Sequence, residues 1–203
     1  MSSWRLKTKR ALEREMSQTT CGCDGGRFNR RAALATIGAG FGLAFGAAPA
    51  HGHAKRAPVL PEDEGFMRLA IAEAAKGDFP FGAVIVRDGK VVATGRNLGV
   101  TNNDPTAHGE MMAIRRFVAD NPAKDLEGAT LYTSGEPCPM CMGAIVWCGI
   151  GRVVYAASIE QLEKRIGQIM ITSKAVAQAA PFATVEITGG VLAPEALALF
   201  VKK

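Results

Sequence analysis

Residue types that bind transition metals stand in two short segments: His108-Gly109-Glu110 and, 27 residues after Glu110, Pro137-Cys138-Pro139-Met140-Cys141. One imidazole and two thiolates are ligands that suit Zn²⁺. Three protein ligands leave the fourth tetrahedral position open, which is the arrangement of a catalytic zinc site. The spacing therefore predicts that His108, Cys138 and Cys141 bind a catalytic Zn²⁺ ion.

Glu110 stands two residues from this imidazole, where it can reach a water in the open position without binding the metal itself. Zn²⁺ lowers the pKa of such a water toward neutrality. A neighbouring carboxylate can then accept the proton and deliver it to a substrate. We therefore predict that Glu110 is the catalytic acid and base of a hydrolytic reaction.

Two other uses of the cysteines are open at this point. A Cys-x-x-Cys pair can be a redox centre or half of a four-ligand structural zinc site. A redox pair needs neither His108 nor Glu110, and a closed zinc site needs a fourth ligand. The remaining histidines and two of the remaining cysteines lie N-terminal to residue 54, and Cys148 has the spacing of a small buried apolar residue.

The charge of the chain is unevenly distributed, although the protein as a whole is basic. Residues 1–56 carry ten Lys and Arg against three Asp and Glu, a net charge of +7. Residues 57–203 carry fourteen against sixteen, a net charge of −2. A mildly acidic domain lacks the broad cationic surface that binding to a phosphate backbone needs, so we expect no nucleic-acid partner.

The N-terminal 50 residues are similar to a twin-arginine export leader. Arg30 and Arg31 directly precede a weakly apolar run over residues 32–50, which ends in the small-x-small pattern Ala48-Pro49-Ala50. Four glycines make this run a poor transmembrane helix, so we expect no stable membrane anchor. The expectation is a periplasmic or exported protein, with residues 51–60 as a linker; the alternative is a basic tail on a cytoplasmic enzyme.

Residues 61–203 are predicted to form the catalytic domain, in which helices alternate with strands. Hydrophobic periodicity and turn residues predict helices over 61–76, 107–121, 139–148, 159–166, 174–179 and 194–201. They predict strands over 81–86, 91–94, 130–133, 153–157 and 184–187, with an Asp-Gly hairpin turn at Asp88-Gly89. This order is typical of a three-layer α/β/α sandwich around a five-stranded mixed sheet.

The predicted helices explain the positions of the metal ligands. His108 and Glu110 begin one helix, whereas Cys138 and Cys141 begin another. The unpaired N–H groups and positive dipole ends of two helix N-termini would stabilise thiolates and developing negative charge. Cys138 and Cys141 share one helix face because they are three residues apart.

The His-x-Glu…Pro-Cys-x-x-Cys pattern is a known signature of zinc-dependent deaminases. From Phe66 to Ala157 the chain resembles the cytidine deaminase-like superfamily, in particular the bacterial guanine deaminases and related nucleobase deaminases. The segments that carry the resemblance are Pro80-Phe81-Gly82-Ala83-Val84, Asn103-Asp104-Pro105-Thr106-Ala107-His108 and the stretch from Leu131 to Ile145.

This resemblance implies a substrate pocket beside the metal. It implies that Asn97 hydrogen-bonds the edge of the base, that Phe81 lines or stacks on the ring, and that Trp147 closes the pocket. The alternatives are a turn asparagine, a core phenylalanine and a core tryptophan. Glu160, Glu163 and Glu186 are the acidic candidates for completing the pocket from the C-terminal segment, where the resemblance weakens.

The resemblance further implies a Zn²⁺-dependent hydrolase that converts guanine to xanthine and ammonia, acting as a homodimer. Cytosine deamination is the alternative prediction, because cytosine deaminases also carry His-Gly-Glu. Deamination of tRNA adenosine is disfavoured by the acidic domain, since tRNA needs cationic partners. A zinc module without catalysis is a further alternative, against which the presence of Glu110 argues.

Overall fold

A computed structural model describes residues 54–200, which form an α/β domain. The strands are β1 (Ala54–Arg56), β2 (Gly82–Arg87), β3 (Lys90–Arg96), β4 (Thr130–Gly135), β5 (Arg152–Ala157) and β6 (Val185–Gly189). The helices are α1 (Asp63–Ala74), α2 (Gly109–Asp120), α3 (Pro139–Trp147), α4 (Ile159–Glu163), α5 (Ser173–Gln178) and α6 (Ala193–Leu197), with a 3₁₀ turn at Ala123–Leu126.

The six strands form one mixed sheet in the order β1-β6-β5-β4-β2-β3. Strands β1, β6, β5 and β4 are parallel, whereas β2 is antiparallel to both β4 and β3. The predicted mixed sheet is confirmed, but the count of five strands is wrong. The sixth strand is β1, which lies within the segment that we interpret as a linker. Its three residues show no alternation of apolar and polar side chains, so the sequence does not predict a strand there.

Helices cover both faces of the sheet, which confirms the predicted three layers. On one face, α2, α3 and α5 pack on the larger core, to which β2 contributes Ala83 and Ile85. On the other face, α1 and α6 pack on a smaller core, to which β2 contributes Val84 and Val86. Successive side chains of a strand point to opposite faces, so these four residues supply both cores.

The hairpin between β2 and β3 has the predicted turn. Asp88 and Gly89 both adopt positive φ, 50° and 70°, as a type I′ turn requires. The predicted helices exist, with shorter bounds at several ends: α4 stops at Glu163 and α6 at Leu197. Residues 164–172 form an irregular segment instead of continuing α4.

A buried ion pair joins the start of α1 to the start of β5. Arg152 donates two hydrogen bonds to the two carboxylate oxygens of Asp63, at 2.7 and 2.8 Å. Tyr132 and the backbone N–H of Leu60 also donate to this carboxylate. Burial opposes ionisation of Asp63, but the hydrogen bonds, foremost that from Arg152, lower its pKa below the usual value.

We expect Asp63→Asn to lower the free energy of unfolding by about 3 kcal/mol at pH 7, because Arg152 loses its counter-charge inside the protein. The lowered pKa means that the stabilisation is complete above about pH 4 and is lost as the pH falls through the folded-state pKa. The difference between wild type and variant should therefore shrink in acid. Urea unfolding at pH 7 and near pH 3 measures both effects.

Asp88→Asn is the matched control, since the Asp88 side chain is 91% exposed and its oxygen lies 3.9 Å from Arg87. Its effect on the free energy of unfolding should stay within about 0.5 kcal/mol. Equal effects of the two substitutions would contradict the role of the buried pair.

The predicted export leader, residues 1–50, and most of the N-terminal half of the linker lie outside the described residues. Within 54–200, none of the helices combines the length and the apolar character needed to cross a membrane.

Candidate active site

The two metal-binding segments lie at the N-termini of neighbouring helices, as predicted. His108 is the residue before α2, and Cys138 is the residue before α3; both have extended backbone conformations. Each accepts the first helical hydrogen bond through its own carbonyl, from Met112 and Met142 respectively. Neither helix has a side-chain cap, so N–H groups of the first turns are free to stabilise negative charge at this point.

The three predicted ligands converge on one point. The ligand atoms of His108, Cys138 and Cys141 all lie within 4.8 Å of one another. Nδ1 of His108 lies 3.7 Å from Sγ of Cys138 and 3.6 Å from Sγ of Cys141. Zn–N bonds of about 2.0 Å and Zn–S bonds of about 2.3 Å at a tetrahedral angle place nitrogen and sulfur about 3.5 Å apart. The geometry and the donor set therefore fit Zn²⁺.

The two thiols differ in acidity because they share a hydrogen bond. A hydrogen bond from Cys141, aided by His108, lowers the pKa of Cys138 to about 4, whereas donating that hydrogen bond raises the pKa of Cys141. The hydrogen bond with Cys138 also raises the pKa of His108. One thiolate thus exists at neutral pH, and metal binding must displace the proton of Cys141.

Glu110 lies on the first turn of α2 and is 3% exposed. Burial is the main cause that raises the pKa of its carboxyl. A raised pKa makes a carboxylate a stronger base, which favours its acceptance of a proton from a nearby water. Its position beside the three ligands is the one that the proposed acid–base role requires.

Two glycines allow α2 to approach the sheet closely enough to place His108 over its edge. A Cβ on Gly95 of β3 would collide with the carbonyl oxygen of Gly109, and a Cβ on Gly109 would lie 2.8 Å from the carbonyl oxygen of Phe81. Any larger residue at either position would push α2 away. The glycines therefore bring His108 beside the ends of β2 and β3.

A cavity of about 270 Å³ opens beside the metal ligands. His108, Glu110 and Cys138 form its floor, and the predicted pocket residues Phe81 and Asn97 also line it. The ring of Phe81 is parallel to that of His108 within 8°, with the centroids 6.5 Å apart. The arrangement gives a flat apolar surface next to the reactive centre, as a planar ligand requires.

Asn97 is held rigidly with one donor group left over. Its backbone N–H donates to the carbonyl of Phe81 at 2.8 Å, and its carbonyl accepts from Asp78 at 2.9 Å. Its Oδ1 accepts from the backbone of Gly99 at 3.1 Å. Among residues 54–200, Nδ2 has no hydrogen-bond partner, so it is available to a ligand in the cavity that Asn97 lines.

Trp147, which the resemblance implies closes the pocket, does not line the cavity in the single chain. Trp147 ends α3, two helical turns from Cys141, and is 78% exposed. Its ring stacks on Phe182 at a centroid distance of 4.8 Å, and the two line a different surface depression. The pattern of α3 places Cys141 and Trp147 on different helix faces, because six residues correspond to about 600° of rotation.

The acidic candidates Glu160, Glu163 and Glu186 are all exposed, and none of them lines the cavity. The C-terminal segment instead contributes residues 166–169, of which Gln168 is the polar member. Sequence reasoning also missed Phe79 and Glu136, which complete the lining. Glu136 stands directly before the Pro-Cys-Pro-Met-Cys motif. That position is the one feature of the sequence that could have identified it as a residue of the site.

Comparison with known proteins identifies the same region. Residues 60–157 match the model of the cytidine and deoxycytidylate deaminase zinc-binding region. The chain is 48% identical over 99 residues to guanine deaminase of Bacillus subtilis, covering 46% of this chain and 64% of that protein. It is 38% identical over 138 residues to the tRNA-specific adenosine deaminase of Haemophilus influenzae, covering 66% and 78%. The chain thus spans less than two thirds of the guanine deaminase.

Solved structures agree with these relatives. A tRNA:A34 deaminase is 31% identical, with a TM-score of 0.56 over 66% of this chain and 98% of its own. A guanine deaminase from Nitrosomonas europaea is 26% identical, with a TM-score of 0.57 over 86% and 97%. The possible zinc site, the mixed sheet and these relatives lead to one conclusion. The chain belongs to the cytidine and deoxycytidylate deaminase family of zinc-dependent deaminases.

Proposed function

We propose that this protein deaminates free guanine to xanthine and ammonia. The observation that carries the proposal is the small cavity at the metal site, which is lined by the aromatic ring of Phe81, by Asn97 with its Nδ2 donor, and by Glu110. Its volume of about 270 Å³ lies at the lower end of small-molecule pockets, which favours a base over a nucleotide. The similarity to two guanine deaminases supports the choice of guanine.

Each residue of the site would have a separate role in this reaction. Zn²⁺ held by His108, Cys138 and Cys141 would supply an activated water. The oxygen of that water bonds to the amino-bearing carbon while Glu110 carries one proton of the water to the adjacent ring nitrogen. Glu110 then carries the second proton to the amino group, which leaves as ammonia while the product carbonyl forms. Asn97 and Phe81 hold the base in the plane that this transfer needs.

Deamination of a tRNA adenosine is the second candidate, because tRNA-specific adenosine deaminases are comparably similar to this chain. The net charge of −2 over residues 57–203 counts against it, since a protein that follows an RNA backbone needs clustered cations. Cytosine deamination is a third candidate, carried by the His-Gly-Glu motif alone.

A panel of substrates separates these candidates. Ammonia release from guanine, cytosine, adenine, ammeline and isocytosine by the zinc-loaded protein should be fastest with guanine. Inosine formation in a tRNA anticodon stem, assayed in parallel, should stay at the level of a no-enzyme control. If the RNA or cytosine is turned over faster than guanine, that compound and not guanine is the substrate. Loss of ammonia release from the entire panel would favour a zinc module without catalysis.

We expect Asn97→Ala to raise the KM for the base about tenfold or more, because a buried hydrogen bond to the ligand is lost. The zinc content should stay at one per chain, since Asn97 is not a ligand. Asn121→Ala is a matched control, because among the described residues its side chain bonds only the carbonyl of Phe117, at the far end of α2. An unchanged KM in the Asn97 variant would show that Asn97 does not bind the base.

We also propose that the protein is a homodimer. The stacked pair Trp147 and Phe182 is 78% and 61% exposed, and large exposed apolar side chains mark contact sites with other proteins. Sedimentation at micromolar concentration should give twice the mass of the chain. A mass equal to that of one chain would contradict the proposed dimer.

A further inference from the structure

Glu136 joins two separate elements of the C-terminal segment. Its Oε2 accepts a hydrogen bond from the backbone N–H of Ile159, the first residue of α4, at 3.0 Å. Its Oε1 accepts from both the backbone N–H and the hydroxyl of Ser173, the first residue of α5, at 2.9 and 2.8 Å. One carboxylate therefore satisfies donors at the beginnings of two helices.

The position of Glu136 is itself fixed. Its backbone N–H donates to the carbonyl of Ala157 at the end of β5, at 2.7 Å, and the residue is 5% exposed. Two residues later the chain reaches the metal ligand Cys138. Glu136 is thus attached to the same rigid part of the sheet as the metal site.

The elements that Glu136 joins flank one wall of the substrate cavity. Residues 164–172 connect α4 to α5, and residues 166–169 of this segment line the same cavity as Phe81 and Asn97. Within 54–200, no side-chain hydrogen bond attaches residues 164–171 to another part of the chain; Ile166 packs in the small apolar cluster that contains Phe81 and Phe200. Polar anchoring of the wall therefore depends on the two helices that flank it, and Glu136 bonds the first residue of each: Ile159 of α4 and Ser173 of α5, which directly follows the segment.

We propose that Glu136 is a positioning residue that sets substrate affinity by holding residues 164–172 as the cavity wall. The Glu136 side chain accepts all three bonds in a buried site, where a donor left without its acceptor is costly. A glutamine at this position keeps the size but presents an NH₂ group to one of the two helix N-termini. That helix start is then left with an unsatisfied donor and the wall is released at one end.

The predicted change in KM rests on the proposed deaminase function, whereas the predicted change in hydrogen exchange does not. In the zinc-loaded full-length protein, Glu136→Gln should accelerate hydrogen exchange of the Ile159 or Ser173 amide about tenfold or more. KM for the base should rise about tenfold while kcat changes less than about threefold, because the wall binds the base and takes no part in proton transfer. Zinc should remain at one per chain.

Ser173→Ala is the milder variant and tests the inference where Glu136→Gln fails to fold. It removes one of three bonds and does not touch the bond to Ile159, so exchange should accelerate at α5 alone and KM should rise about threefold. Ser158→Ala is the matched control. Its hydroxyl caps α4 through the N–H of Gln161 but has no bond to Glu136, so α4 should exchange faster with KM unchanged.

Three results would overturn the positioning role. A loss of kcat at constant KM in Glu136→Gln would place Glu136 in the chemistry, and a loss of zinc would place it in the metal site. A wild-type KM and wild-type exchange in Ser173→Ala, beside a large effect of Glu136→Gln, would mean that Glu136 contacts the base directly. A wild-type protein that deaminates no base would refute the proposed function alone, because the exchange measurements still decide whether Glu136 holds the wall.

Discussion

Glu110→Gln should lower turnover of the zinc-loaded protein by about a thousandfold or more while leaving one zinc per chain. The amide has the size of the carboxylate but cannot accept and return a proton. Glu110 lies on the first turn of α2, is 3% exposed and lines the cavity beside His108 and Cys138. Steady-state ammonia release, with zinc measured by plasma mass spectrometry on the same sample, separates loss of chemistry from loss of metal.

Glu127→Gln serves as the control for this prediction, because Glu127 is an exposed carboxylate that does not line the cavity at the metal site. It should keep the activity of the wild type. Substantial turnover in Glu110→Gln would show that another group moves the proton, and the assignment of Glu110 would be given up.

Cys141→Ala should lose both zinc and stability. Cys141 is fully buried on α3, and its removal leaves His108 and the acidic thiol of Cys138 without the third donor. Two ligands bind Zn²⁺ much more weakly than three, and the stabilisation that metal binding adds to the folded state is lost with it. The free energy of unfolding should fall by about 3 kcal/mol or more, measured by denaturant titration with and without a chelator.

Cys148→Ala tests whether this result is specific to the ligand. Cys148 is half-buried at the end of α3 and packs against the larger core, so its loss should cost about 1 kcal/mol and leave the zinc in place. A chelator should destabilise the Cys148 variant and the wild type equally, yet have no effect on Cys141→Ala. Full zinc occupancy in Cys141→Ala would place the metal elsewhere.

Local patterns in the sequence determined the metal site and the elements that carry it. A ligand at a helix start depends on capping, proline placement and i, i+3 spacing, all of which involve residues within one turn of each other. His108 and Cys138 are accordingly found directly before α2 and α3, and the Asp-Gly turn forms the hairpin between β2 and β3. Burial of both faces of the strands likewise follows from their continuous apolar runs.

The tertiary structure alone decided which distant groups meet. Asp63 and Arg152 are 89 residues apart in the chain, and Glu136 lies 37 residues from Ser173; no periodicity predicts such pairs. Trp147 stands six residues from a metal ligand, yet the rotation of α3 turns it to the surface. The β1 strand exists because β6 offers a free edge, and the segment that brings residues 166–169 to the cavity lies between two helices whose first residues both bond Glu136. Local propensity determines the elements, whereas the complementarity of buried polar groups determines how they close around the site.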